Sequence, residues 1–381
     1  MSHPLAAIDI GSNTIRVVTG EIRDDKIILL ARSSAQSGGI RGGYITNKTD
    51  ATLAIKKALR LTEKQIGQSI DEIYITAGGG PLSTKVMTSS VAVSHGDGQV
   101  TEADIDNAIR RSIKKSLGSN QRNIDSIILG YKLDGTETVS EPLGMQGKKL
   151  DVETMLFNYA SQNMDAIEDV LDGLDTATID FFPSIIASSI VSLSTIDRKV
   201  GCVLIDIGSD ATSYVVYEQD APIHVGHIQT GSDSITQAIA LEYQIPVSEA
   251  EIIKQGGPLP ITIDQKKLDV VIKKATAAIF KEINTQLKEI QKSANLPGGA
   301  VLCGGGSLIK DIDLIARDVL KIPTRRAVIR AFKREGDERE LGWAGVYGTV
   351  IQAMEQERSR RGNPMIKIVK GLWHYVRGYF A

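Results

Sequence analysis

Two aspartates in matching surroundings are the residues of this chain best placed to do chemistry. Asp9 lies in Ile8-Asp9-Ile10-Gly11-Ser12 and Asp206 in Ile205-Asp206-Ile207-Gly208-Ser209. Each follows a β-type run and precedes another, so the repeated unit is strand, Asp, tight glycine turn, strand. A carboxylate at a strand end is a hard oxygen donor, suited to Mg²⁺ or its bound waters beside a phosphate. The glycine lets the backbone come close to that phosphate, and the turn amides can donate to it. A single such turn is usually an ordinary hairpin. Two copies, one in each half, read as a two-sided phosphate clamp. Its contacts are Gly11, Ser12, Asn13 and Thr14 on one side and Gly208, Ser209 and Asp210 on the other. A third turn, Gly304-Gly305-Gly306-Ser307, follows the buried-strand pattern Ala300-Val301-Leu302-Cys303. As the third of a set it suggests a place for the base and ribose of a nucleotide.

These turns need elements to hold them. Residues 5–31 read as strands joined at Asp24-Asp25, followed by the glycine-rich stretch Ser37–Ile45. Asp50 is expected to cap a helix to about Ile66 with Leu53, Ala54, Ala58 and Leu61 on one face. A strand at Ile73–Ala77 ends in Gly78-Gly79-Gly80-Pro81. From about Thr84 to Tyr159 the pattern is a small α+β module, with a helix started by Thr101–Asp104. Helices at Ser161–Leu171 and Ser184–Leu193 return to the first lobe. The second lobe opens near Lys199. Gly231 begins another insertion, with helices at Ser232–Glu242, from Pro246 (Ser248 and Glu251 in capping-box spacing), and at Gln265–Ser293. A helix is also expected over Leu308–Leu320. Small residues in Ser184–Ser189 and Ala344–Gly348 would let two helices cross closely at a hinge between the lobes.

Composition narrows the class. The 381 residues suffice for two cored domains or more. Apolar content of 42% and charged content of 24% are those of a soluble protein, and a net charge of −2 argues against nucleic acid. Cys202 and Cys303 sit in strand patterns without metal-ligand spacing, as buried thiols of a reducing compartment do. With no secretory signal and no spanning run, a cytoplasmic protein is expected. The last stretch differs. After a polar linker at 356–363, residues 364–381 place Ile366, Val369, Leu372, Trp373, Val376 and Phe380 on one broad face. Lys367, Lys370 and Arg377 lie opposite or at its edges. That pattern fits an amphipathic helix lying on an anionic membrane surface.

Together these stretches resemble the actin/Hsp70/sugar-kinase superfamily and, within it, the FtsA family of bacterial division proteins. Ser37–Gly43 resembles the family's loop after its first hairpin. Glu141–Leu150 is similar to its P-x-G-M-x-G-x-x-L phrase, and Ala250–Lys254 to its A-E-x-x-K helix. The tail resembles its membrane-targeting helix. The resemblance implies an α/β, two-lobed actin-like (ribonuclease H-like) ATPase fold, with an inserted α+β subdomain in lobe one and a C-terminal amphipathic helix. The implied parts are 1–83 with 160–197 (1A), 84–159 (1C), 198–230 with 298–355 (2A), 231–297 (2B), the linker and the tail. It implies ATP and Mg²⁺ as ligands, the latter at Asp9 and Asp206. Arg16, Gly231, Glu251 and Lys254 would join the nucleotide site, and Asp180 is the candidate to position an attacking water, with little or no ATPase activity expected. The implied partners are the FtsZ C-terminal tail, further copies of the chain in filaments, anionic lipids and other division proteins, at the cytoplasmic face of the inner membrane. A type IV pilus assembly protein of the same fold, and an exopolyphosphatase or sugar kinase, are the alternatives. Two departures stand out. Ser12-Asn13-Thr14 replaces the family's frequent Thr-Thr-Lys, leaving Arg16 as the nearest basic residue. Gly208-Ser209-Asp210-Ala211-Thr212 replaces G-G-G-T, adding a carboxylate that would repel phosphate unless Mg²⁺ intervenes or Asp210 points away.

Overall fold

The computed structural model describes residues 4–23, 26–135, 138–139, 141–257, 264–329 and 338–362. The Asp24-Asp25 turn and the amphipathic tail expected at 364–381 lie outside the described residues.

Lobe one begins with β1 (Leu5–Ile10), β2 (Thr14–Arg23) and β3 (Lys26–Gln36), then the short pair β4 (Ile40–Arg41) and β5 (Tyr44–Ile45). Next come α1 (Lys48–Ile66) and β6 (Glu72–Ala77). The insertion holds β7 (Leu82–Ala92), α2 (Glu102–Ser116), β8 (Gln121–Leu133), β9 (Thr138–Val139) and β10 (Lys149–Ala160). Lobe one resumes with α3 (Ser161–Asp172), β11 (Ala177–Pro183), α4 (Ser184–Ser192) and α5 (Thr195–Val200). Lobe two has β12 (Cys202–Ile207), β13 (Thr212–Glu218), β14 (Ala221–Ile228), α6 (Asp233–Tyr243), α7 (Val247–Lys254) and α8 (Gln265–Glu289). It ends with β15 (Ala300–Cys303), a 3₁₀ turn (Gly305–Leu308), α9 (Ile312–Leu320), β16 (Thr324–Arg326), a second 3₁₀ turn (Glu338–Trp343) and α10 (Ala344–Gly362).

The sequence repeat is a repeat of topology. The first sheet has the order β11-β6-β1-β2-β3 and the second β16-β15-β12-β13-β14. In each, the leading strand runs antiparallel to the next and parallel to a later one: β1 to β2 and β6, β12 to β13 and β15. The insertion is a separate antiparallel sheet, β7-β10-β8-β9, with its own small core around Val100, Ile105, Ile109, Leu150 and Val152.

Strand alternation decides which side each residue serves. In β12, Val203, Ile205 and Ile207 face the core formed with α6, α8 and α9. Cys202 and Leu204 face the other way, into the core that joins the two lobes. Asp206 has their parity, and its side chain meets α4. The central helices cross between lobes. α4 packs on β12, β13 and β15 as well as on β6 and β11 of its own lobe, whereas α10 packs on β1, β2 and β6 as well as on α4. Residues 344–355, grouped with lobe two from sequence, therefore lie against lobe one. The stretch read as a linker is helical through Gly362, because Gln, Glu and Arg there favour helix and nothing interrupts it before the glycine.

One cap here differs from expectation. Asn47, not Asp50, caps α1, its side chain accepting from the amides of Thr49 and Asp50. The face buried is Ala51, Ala54, Ile55, Ala58 and Leu59, while Leu53 and Leu61 are exposed. α2 does carry a capping box between Thr101 and Asp104. α8 stops at Glu289, and the expected helix at Leu308–Leu320 is a 3₁₀ turn and then α9.

Candidate functional site

A cleft of about 640 Å³ between the lobes gathers the turns singled out from sequence. Asp9, Gly11, Ser12, Asn13, Thr14 and Arg16 line one wall, Gly208, Ser209 and Asp210 the other, with Asp206, Gly304, Gly305 and Gly306 completing it. Glu251 and Lys254 reach it from α7. That volume lies within the range of small-molecule sites. The ligand side of an open α/β sheet is the carboxyl end of its parallel strands, where β1, β6, β12 and β15 all deliver their loops here.

The two phosphate-type turns have the same local geometry. A Cβ on Gly11 would lie 2.7 Å from the Thr14 carbonyl oxygen, and one on Gly208 would lie 2.8 Å from that of Ala211. The Gly208 amide donates to the Ala211 carbonyl at 3.0 Å. The carbonyls of Gly208 and Ser209 accept from Ser232 and Asp233 at the start of α6, and Ser209 Oγ donates to Asp233 Oδ1 at 2.5 Å. The third turn depends on glycine for two reasons. Gly304 has φ +83°, and a Cβ there would meet Asp206 Oδ1 at 2.3 Å and the Ile207 carbonyl at 2.6 Å.

The electrostatics suit a cation. Burial drives the Asp9 carboxyl up to about 6, against the opposing pull of Arg16 and with a further push from Asp206. Arg16 Nη1 is 3.5 Å from Asp9 Oδ2, and its guanidinium lies 5.7 Å from the centre of the Trp343 ring. Asp206 is also raised by burial, although Ser188 Oγ donates to its Oδ2 at 2.8 Å. Two carboxylates held above their ordinary range at the base of a cleft form a hard oxygen donor set. Mg²⁺ commonly takes one or two carboxylates and completes its shell with substrate phosphates and water, so these residues fit it.

On α7, Lys254 Nζ meets Glu251 Oε2 at 2.7 Å and donates to the Ser232 carbonyl at 3.3 Å. Thr236 Oγ1 donates to the same Glu251 oxygen at 2.5 Å, and Gln255 Nε2 to the other at 2.8 Å. Burial pushes the Glu251 carboxyl up, but these donors outweigh it and leave it below its usual value. Glu251 is therefore not a capping residue. Helix α7 starts at Val247 after the cap position Pro246, which puts Ser248 two positions too far in to act as cap. Lys254→Ala would leave a half-buried carboxylate without its cation. A loss of about 1–3 kcal/mol is expected, seen as a lower melting temperature that ATP restores less than in the parent chain.

Three predicted residues are not on the cleft wall. Asp180 lies mid-strand beside Tyr74, accepts from the Phe181 amide, and meets Gln356 Nε2 at 3.4 Å under α10. The strand reaches the cleft only after Pro183, where Ser184 is the lining residue, so Asp180 is not placed to position an attacking water. Gly231 backs the second turn instead of lining the cleft, since a Cβ there would meet the Ser209 carbonyl at 2.2 Å. Ser307 is buried and donates to the Gly304 carbonyl at 2.6 Å, closing the third turn. The cleft also includes Gly42, Gly43, Gly78, Gly79, Ser213 and Gln255. The glycine pairs had a visible signal, being glycine-rich loops after strands, but only the topology brings them to this cleft.

Comparison with known proteins adds the following. The profile of "Cell division protein FtsA" matches residues 203–342, and that of the "SHS2 domain inserted in FTSA" matches 82–157. The cell division protein FtsA of Neisseria meningitidis serogroup B is 28% identical over 349 residues, covering 84% of this chain and 83% of that protein. That of Bacillus subtilis is 22% identical over 342 residues, covering 84% and 78%. Among solved structures, the PilM-PilN type IV pilus biogenesis complex superposes with a TM-score of 0.69 at 15% identity, covering 92% of this chain and 98% of its own. MreB5 of Spiroplasma citri bound to ADP superposes with a TM-score of 0.53 at 11% identity, covering 94% and 98%. At these identities the structural likeness is one of fold.

Proposed function

Because this chain belongs to the FtsA family of bacterial cell division proteins, we propose that it binds ATP with Mg²⁺ between its lobes and, as filaments, tethers FtsZ polymers to the cytoplasmic face of the membrane. The observation that carries the nucleotide part is the convergence of two duplicated phosphate turns and the Gly304 turn on one cleft. The turn amides around Ser12 and Ser209 would hold the phosphates, and Asp9 and Asp206 the cation. Gly304–Gly306 would pass the base and ribose, with Glu251 and Lys254 beside them. Mg²⁺, when bound, would neutralise phosphate charge that, among the described residues of the first wall, Arg16 alone meets.

ATP here acts as a structural switch. Asp9 and Asp206 belong to different lobes, so residues of both lobes would hold the cation and phosphates, whose charge neutralisation would favour a closed form suited to head-to-tail assembly. With Asp180 turned under α10, slow hydrolysis or none is expected. The match of the family's inserted-subdomain profile over 82–157 and of its division-protein profile over 203–342 supports this reading over a pilus assembly protein of the same fold, and a phosphotransferase would leave the insertion unexplained. Among the described residues no helix is long and apolar enough to cross a membrane, so attachment is assigned to the pattern at 364–381.

Liposome co-sedimentation with ATP, Mg²⁺ and FtsZ tests this. The full chain is expected to pellet on anionic vesicles and bring FtsZ down, and a chain ending at Asn363 to do neither. Equal behaviour of the two would overturn the tether.

A further inference from the structure

The departure at Asp210 has a definite place in the structure. Gly42 N–H of lobe one donates to Asp210 Oδ2 at 2.7 Å, across the mouth of the cleft. The equivalent residue of the first turn behaves differently: Asn13 Oδ1 accepts from Gln36 Nε2 at 3.1 Å, within its own lobe. Register makes the equivalence secure. Asp9 pairs with Arg16 and Asp206 with Ser213, so Asn13 and Asp210 hold the same turn position.

Gly42 is not a loose end that happens to reach a carboxylate. Its carbonyl accepts from the Gly80 amide at 2.9 Å, and Gly42, Gly43 and Gly79 all have positive φ. A Cβ on Gly43 would lie 2.8 Å from the Gly78 carbonyl, and one on Gly79 would lie 2.7 Å from that of Gly42. The loop is pinned to the end of β6, so a bond to Gly42 ties lobe two's phosphate turn to the core of lobe one. Hydrogen bonds to an ionised acceptor are the stronger kind.

We propose that Asp210 is a clasp between the lobes and a specificity-determining residue for the bound anion. Its carboxylate takes the Gly42 amide as a phosphate oxygen would. It also places a full negative charge on the wall that a polyphosphate must approach, making the site depend more strongly on Mg²⁺ than a turn with glycine there. The clasp stands on the geometry alone; the second half rests on the proposal that a nucleotide binds in this cleft.

Asp210→Ala removes both bond and charge, whereas Asp210→Asn keeps an acceptor and removes only the charge. Hydrogen exchange of the full chain without nucleotide, read on peptides spanning residues 38–45, tests the clasp. Exchange is expected to rise about tenfold in the alanine variant and much less in the asparagine variant. Unchanged exchange in the alanine variant overturns the clasp. Titration with ATP, with and without Mg²⁺, tests the rest. Asp210→Asn is expected to bind ATP about tenfold more tightly without Mg²⁺, with a smaller gain when Mg²⁺ is present. Equal affinities of parent and Asp210→Asn without Mg²⁺ overturn the specificity role. No ATP binding by parent or variants, with the exchange difference intact, would overturn the nucleotide reading and leave the clasp standing.

Discussion

Gly348→Ala is expected to be among the most damaging single-methyl additions to this chain. A Cβ at Gly348 would lie 1.8 Å from the Ala187 carbonyl oxygen and 2.3 Å from its carbon. Both are backbone atoms of α4, so no side chain can rotate out of the way, and α4 and α10 must separate. Overpacking of a tight core contact costs about 1–3 kcal/mol, and a backbone clash lies at or above the top of that range. A fall in melting temperature of about 4 °C or more is expected. Gly345→Ala is the control. Its Cβ would meet Thr76 Cγ2 at 3.2 Å and Ser188 Oγ at 3.5 Å, so a shift of a few tenths of an ångström suffices. The better helix propensity of alanine offsets that by about 1 kcal/mol. Equal melting of the two variants would refute the close helix crossing. The effect should also reach the cleft, because α4 carries Ser188, which donates to Asp206, and Ser184, which lines the cleft.

Asp9→Asn is expected to stabilise the nucleotide-free protein while abolishing tight binding of Mg²⁺ and ATP. The folded carboxyl titrates at about 6 against an ordinary value of 3.8, so the folded state holds its proton more tightly than the unfolded state. Stability contributed by this group is therefore greatest below 3.8 and is lost as pH rises through about 6. A shift of that size corresponds to about 3 kcal/mol at neutral pH. The side chain keeps 26% of its surface open to the cleft, and water there reduces the effect to about 2 kcal/mol. Thermal melts should show the asparagine variant more stable than the parent at pH 7.5, with the gap closing toward pH 4. Calorimetric titration at pH 7.5 should show ATP–Mg²⁺ affinity reduced at least tenfold, since charge-assisted interactions lost at a partly buried site cost about 1.5–3 kcal/mol. A variant less stable than the parent at pH 7.5 would show that Arg16, not burial, dominates this carboxyl.

The chain displays its duplicated chemistry openly. Ile8–Ser12 and Ile205–Ser209 are local motifs, in which strand, carboxylate and glycine turn are specified by adjacent residues and need no distant partner to be recognised. The small-residue runs at Ser184–Ser189 and Ala344–Gly348 likewise announced a close helix crossing, because only small side chains permit one. The inserted module and the order of the lobes followed from changes in periodicity along the chain.

Which lobe each central helix serves was decided by the tertiary structure. The crossing of α4 and α10 between lobes depends on burying apolar faces against strands far away in sequence, and local pattern carries no information about that partner. The same holds for Asp180 and Asp210. Asp180 had a suitable residue type, but the chain reaches the cleft only four residues later, at Ser184. Asp210 had a suitable place but an unwelcome charge, until the fold supplied Gly42 from another lobe as its donor. Local residues determined what each turn could bind; long-range packing determined which turns faced one another, and so which charges had to be answered from the opposite lobe.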